Sequence, residues 1–220
     1  MKPILKLFLF IALLALTACN KTTPIDEIEG FDYGTVTKDH YINKFFKIEM
    51  DIPKGWNIQD ENQRKELMKQ GSKVVFKDSI NADAVMEASK ITTANLFTAI
   101  TNDPNATVFR ENILLMAENI QQHPFVKTGD IYLENVNKIL SNSNLKIVQI
   151  DHSFPKKVIN GKTFYEMNII AHIQDLDVHQ TYLATIEKGF ALCIIYSYIN
   201  DDQKAELEKY VNTFSALKKQ

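Results

Sequence analysis

The 220-residue chain has only two arginines (Arg64 and Arg110), two cysteines, seven glycines and one tryptophan, Trp56. Each scarcity excludes something. With two arginines and a net charge of −2 there is no basic patch to follow a phosphate backbone, so nucleic acid is not an expected partner. Seven glycines leave little material for a phosphate-cradling loop. Neither a Gly-x-Gly-x-x-Gly fingerprint, a Gly-x-Ser-x-Gly elbow nor a His-Glu-x-x-His metal motif occurs. Two cysteines cannot build a disulfide framework. At 45% hydrophobic and 24% charged, the chain is too apolar for intrinsic disorder and long enough to bury a core without staples.

Long apolar runs are also few, and the longest lies at the start. Lys2 and Lys6 precede ten unbroken apolar residues, Leu7 to Leu16. As a helix, ten residues rise about 15 Å, half of a hydrocarbon core of roughly 30 Å. The run is therefore expected to be the h-region of a signal peptide over residues 1–18 and not a membrane span. Without it the hydrophobic fraction falls to about 42%, still a globular value, and the net charge goes from −2 to −4.

The run ends in Leu16-Thr17-Ala18-Cys19, which resembles the bacterial lipobox. That resemblance implies cleavage before Cys19 and acylation of its thiol, making Cys19 the lipid attachment site and the membrane a partner through the anchor. Two or more acyl chains hold stably where one does not. Asn20 stands where some bacteria use aspartate as an inner-membrane retention signal, which favours the outer membrane. Cys193 is then unpaired. Its setting, Phe190-Ala-Leu-Cys-Ile-Ile-Tyr, is that of a buried strand and not of an activated thiol.

Residues 19–38 lack a sustained apolar period and are expected to form a tether, with one domain over 39–218. Phe46 to Ile52 alternates as a strand with one wet face. Asp60 with Gln63 is a capping-box signature for a helix that Gly71 would close. Ile91 to Ile100 suits a strand, whereas Val108 to Ile120 fits either a helical stripe or a strand. Gly129 to Leu140 is a helix by its Tyr132, Val136, Ile139, Leu140 stripe. Strands follow at Leu145 to Ile150, Phe164 to Ile173, Gln180 to Ile186 and Phe190 to Tyr198. Turns are expected at Asn160-Gly161, Gln174 to Val178 and Lys188-Gly189. A last helix, capped by Asn200, aligns Leu207, Tyr210, Val211, Phe214 and Leu217. An antiparallel meander with helices on it is an α+β arrangement.

Tyr41-Ile-Asn43-Lys-Phe-Phe46-Lys-Ile48, followed by Ile52-Pro53-Lys-Gly55-Trp56, resembles the opening of the PsbP-like fold. The ending is similar too: Lys188-Gly189-Phe190 opens a strand to Ser197-Tyr198, and Thr213-Phe214-Ser215 finishes the last helix. The resemblance spans about residues 40–218. It implies an antiparallel sheet sandwiched by helices and makes Val108 to Ala117 a strand. Members of that fold bind partners and share no common chemistry.

Asp151-His152-Ser153 has the letters of a hydrolase triad, but strand neighbours point to opposite faces and cannot converge. His172 and His179 would face each other if their hairpin centred between Asp175 and Leu176, with Asp175 and Asp177 in the turn. Two histidines are half a zinc site, and solvated imidazoles are the alternative. Trp56, Tyr41, Phe45 and Phe46 are expected in the core, with an exposed anchoring role the alternative for Trp56. No catalytic, cofactor-binding or metal-binding residue is assigned. The expectation is a non-catalytic module for a protein partner at the membrane. The alternatives are a small-ligand or lipid-binding carrier, needing an apolar pocket, and a hydrolase.

Overall fold

The computed structural model describes residues 23–75, 91–102, 109–173 and 175–217. Two antiparallel sheets organise them. The larger runs β4 (Asn57–Ile58), β5 (Thr93–Ile100), β6 (Asn112–Asn119), β11 (Phe190–Tyr198), β10 (Leu176–Glu187), β9 (Lys162–Ile173) and β7 (Ile147–Ile150). β8 (Lys156–Ile159) shares the free edge of β9 with β7. The smaller sheet runs β1 (Thr35–Thr37), β2 (His40–Asn43), β3 (Ile48–Asp51) and β12 (Ser215–Ala216). The described residues include the helices α1 (Glu61–Val75), α2 (Gly129–Ser141) and α3 (Asp201–Val211) and a 3-10 turn at Ile25–Glu27.

Every residue of β5, β6 and β11 is buried, because both faces of the large sheet are covered. On one face Leu114, Met116, Met167, Tyr182, Cys193 and Ile195 pack under α2, through Tyr132, Leu133, Val136 and Leu140, and against Leu67 of α1. On the other, Ile113, Leu115, Leu192, Ile194 and Phe164 meet Leu207 and Val211 of α3 and Tyr41, Ile48 and Met50 of the small sheet. The fold is α+β, an antiparallel sheet between helices, with a second small sheet sharing one face. Two-sided burial also explains residues 109–120, Val108 lying outside the described residues. Strand β6 lies there, and its alternation is hidden because neither face is wet.

Local chemistry sets the turns. Asn160 (φ 47°) with Gly161 (φ 82°) and Lys188 (φ 52°) with Gly189 (φ 79°) form the two-residue hairpin turns expected of them. Asn160 Nδ2 also donates to the carbonyls of Asn212 and Phe214, each at 2.9 Å, tying its hairpin to the end of α3. The capping box is present: Gln63 N donates to Asp60 Oδ1 (2.9 Å) and Asp60 N to Gln63 Oε1 (2.8 Å). Asn200 caps α3 by accepting from Gln203 N at 2.9 Å.

Four expectations need correction. The stretch read as a tether over 19–38 is docked from residue 24 onward. Ile25 is 1% exposed, Ile28 and Phe31 pack against the core, and β1 pairs with β2. Polar contacts hold it: Asn43 Nδ2 donates to the Asp32 carbonyl (2.6 Å), Tyr41 Oη to the Tyr33 carbonyl (3.0 Å), and Lys44 N to Asp32 Oδ2 (3.1 Å). Gly71 does not end α1, which runs on to Val75. The last helix stops at Val211, and Phe214 reaches the core from a turn before β12, not from a helical stripe. The β9–β10 hairpin pairs Ile173 with Leu176, so His172 lies opposite Asp177 and His179 opposite Ile170.

Candidate functional surface

Alternation along paired strands puts Glu166, Asn168, Ile170 and His172 of β9, Asp177, His179 and Thr181 of β10, and Tyr196 and Tyr198 of β11 on one face. This is the α3 face, beyond the stretch where the small sheet covers it. His179 is half-buried and stacks on the buried Tyr198, ring centroids 5.3 Å apart and planes at 23°. Lys204 of α3 places Nζ 5.8 Å from the centre of the Tyr198 ring. Tyr196 stacks on Tyr198 at 6.0 Å. His172 Nδ1 meets Asp177 Oδ1 at 2.8 Å across the ladder.

Towards β7 and β8 the surface becomes a hydrogen-bonded row. Thr181 Oγ1 donates to Asn168 Oδ1 (2.7 Å), and Asn168 gives both N (2.9 Å) and Nδ2 (3.0 Å) to Asp151 Oδ2. Lys157 Nζ lies 3.2 Å from Glu208 Oε1 and 3.4 Å from Glu166 Oε2, while Tyr196 Oη donates to Glu208 at 3.0 Å. Burial works to raise the Glu208 carboxyl, but Lys157, Tyr196 and Lys204 outweigh it and hold it below its ordinary value. These side chains lock one another in place.

The residues singled out from the sequence fall in different places. Asp151 is engaged by Asn168, whereas His152 and Ser153 are exposed, so the three letters form no triad. His172 and His179 share a face but have different partners, and among the described residues no group of three or more His, Cys, Asp or Glu side chains could hold a metal ion. Cys193 is 1% exposed in β11, and burial pushes its thiol up, with Glu118 adding to the effect. Trp56 is half-buried against the core, with its N donating to the Pro53 carbonyl at 3.2 Å across the Gly55 turn. Cys19 lies outside the described residues. Among the described residues, no helix is long and apolar enough to cross a membrane.

One feature gave no signal in the sequence. Glu118 of β6 is 2% exposed under α2, where its Oε2 accepts from Tyr132 Oη at 3.0 Å. Burial pushes its carboxyl up to about 8, against the opposing pull of the tyrosine hydrogen bond.

No family model matches the chain, and no curated protein matches it in sequence. Among solved structures it is similar to the PsbP of the cyanobacterium Synechocystis, at 14% identity and a TM-score of 0.47 over 86% of this chain and 98% of that one. It is also similar to a Bacteroides thetaiotaomicron protein, at 10% identity and a TM-score of 0.44 over 84% of this chain and 50% of that one. A third is LpqN of Mycobacterium tuberculosis, described as involved in cell envelope biogenesis, at 15% identity and a TM-score of 0.38 over 76% and 78%.

Proposed function

We propose that this chain is a bacterial envelope lipoprotein, anchored through acylated Cys19 at the outer membrane, whose domain binds a protein partner without catalysing a reaction. The leader and lipobox support the anchor. The observation that carries the binding reading is the His179–Tyr198–Lys204 stack: a half-buried imidazole and a lysine seated on a buried tyrosine, in a row of side chains that fix one another. An imidazole and a lysine held rigid on a buried ring make effective interface contacts, because little side-chain entropy remains to be lost on contact. Anchoring adds effective concentration, so a weak intrinsic affinity suffices.

A photo-reactive residue at position 179 of the full chain, irradiated in intact cells, is expected to give one discrete adduct. The same probe at Val158, 66% exposed on β8, is expected to give none. Cys19→Ala should abolish acyl labelling and membrane retention and reduce the adduct. No adduct at 179 overturns the binding reading, and unchanged fractionation of Cys19→Ala overturns the anchor.

A further inference from the structure

Phe125 has the highest exposure of the large hydrophobic side chains among the described residues, at 84%. It does not sit on a loose tip. His123 N donates to the Ile120 carbonyl (2.8 Å) and Val126 N to the His123 carbonyl (2.9 Å), making two consecutive turns, and the adjacent Val126 is buried in the core. Ile120 N donates to the Gly189 carbonyl at 3.0 Å, which roots the loop beside the Lys188–Gly189 turn. Ile131, in the first turn of α2, is also partly exposed at 36%.

That turn is one end of the molecule. Lys188 donates to the Phe45 carbonyl, and its Nζ stands 4.7 Å from the centre of the Phe45 ring. Phe45 lies 5.1 Å from Phe31, and Phe31 lies 5.6 Å from Phe190. Phe31, the 44–47 turn, the 188–189 turn and the Phe125 loop therefore share this end. From Asp177 to Lys188, β10 carries the chain about 36 Å to the opposite end, where His172 and Asp177 sit.

The docked N-terminal segment links this end to the anchor. Five residues lie between Cys19 and Ile25, and the six Cα–Cα steps reach at most about 22 Å. Two hydrogen-bonded turns, Ile28 N to Ile25 O (3.1 Å) and Phe31 N to Ile28 O (3.0 Å), follow. Each spans less than about 7 Å, so Phe31 lies within about 14 Å of Ile25. An inverted domain, standing on the His172 end, would need that whole path stretched taut along its height. With the Phe31 end down, the path is slack.

Resting on the acylation of Cys19 proposed above, we infer that the anchored domain stands on the bilayer on its Lys188–Gly189 end. Phe125 enters the boundary between headgroups and acyl chains, and the His172–Asp177 hairpin end points away. Aromatic side chains favour that boundary, which accepts an apolar ring beside polar groups. Exposed Lys44, Lys47, Lys127 and Lys188, with Lys21, outnumber Asp26, Glu27 and Glu29 of the incoming segment by only two charges, and a zwitterionic phosphatidylcholine surface offers them no net charge to bind. The contact is therefore apolar in origin and insensitive to salt.

The test uses the acylated full chain on vesicles of phosphatidylcholine and its brominated form. Trp56→Phe removes the native indole, and Phe125→Trp or Val148→Trp adds a single probe. Val148 is 56% exposed on β7, near the far end. The probe at 125 is expected to shift to the blue on vesicle binding and lose most of its emission to bromine, equally at low and high salt. The probe at 148 is expected to stay unquenched. An unquenched probe at 125 on floated vesicles, as a protein-facing Phe125 would give, overturns this inference alone, and so does quenching at 148. A chain that carries no acyl mass and does not float overturns the anchor and this orientation with it.

Discussion

Tyr132 of α2 donates its hydroxyl proton to Glu118 of β6 at 3.0 Å, a bond between the covering helix and a carboxyl group buried near the end of an interior strand. An ionised carboxylate there would have few groups to solvate it, so the fold favours the protonated acid.

Stability should consequently depend on pH through Glu118. Its folded value, about 8, lies above the ordinary 4.5. The stability it contributes is therefore fully present at acid pH and lost as pH rises through 8. Each unit of displacement corresponds to about 1.4 kcal/mol. Glu118→Gln keeps a hydrogen-bonding side chain and removes the titration. Thermal unfolding across pH should show the parent losing Tm relative to the variant between about pH 5 and pH 8. Parallel curves would refute it.

Ile25→Ala should destabilise the domain by about 2–4 kcal/mol, as truncation of a fully buried isoleucine does. In a domain of this size each kcal/mol lowers Tm by roughly 2–4 °C. Calorimetry would detect a fall of that order. An unchanged Tm would restore the tether.

Gly129 and Gly161 should respond differently to alanine. A Cβ on Gly129 would lie 2.1 Å from the Ala184 carbonyl oxygen, so α2 must move off the sheet. Overpacking of that kind costs about 1–3 kcal/mol or more. At Gly161 nothing lies within 4 Å, but φ is +82°. There the cost is the left-handed conformation alone, about 1–2 kcal/mol. Denaturant midpoints would distinguish the two, and far-ultraviolet dichroism would show helix loss only for Gly129→Ala.

Trp56→Ala should cost less than the roughly 3–5 kcal/mol typical of a fully buried tryptophan, because the ring is half-buried. The parent's emission should lie between the buried and solvated limits. A fully red emission with no stability change would indicate that the ring does not pack on the core.

What could be read from the sequence was local. The Asp60/Gln63 box, the Asn160-Gly161 and Lys188-Gly189 turns and the Tyr132–Val136–Leu140 stripe each depend on residues within a few positions of one another, and each is present. The His172 hairpin shows where this stops. The expected register and the observed one differ by two residues in the pairing. The shift leaves each side chain on its face and replaces His179 by Asp177 as the partner of His172.

The chain by itself determined the positions of most strands and helices and the α+β class, because periodicity and turn chemistry act over short distances. Tertiary structure decided the rest. Ile25, Ile28 and Phe31 recur every third residue over only seven positions, too short a run to mark an element, and only the waiting sheet makes them core. Glu118 is an ordinary acidic residue until Tyr132, 14 positions later, closes over it. The His179–Tyr198–Lys204 stack assembles two strands and a helix, brought together by a register that neither strand specifies alone.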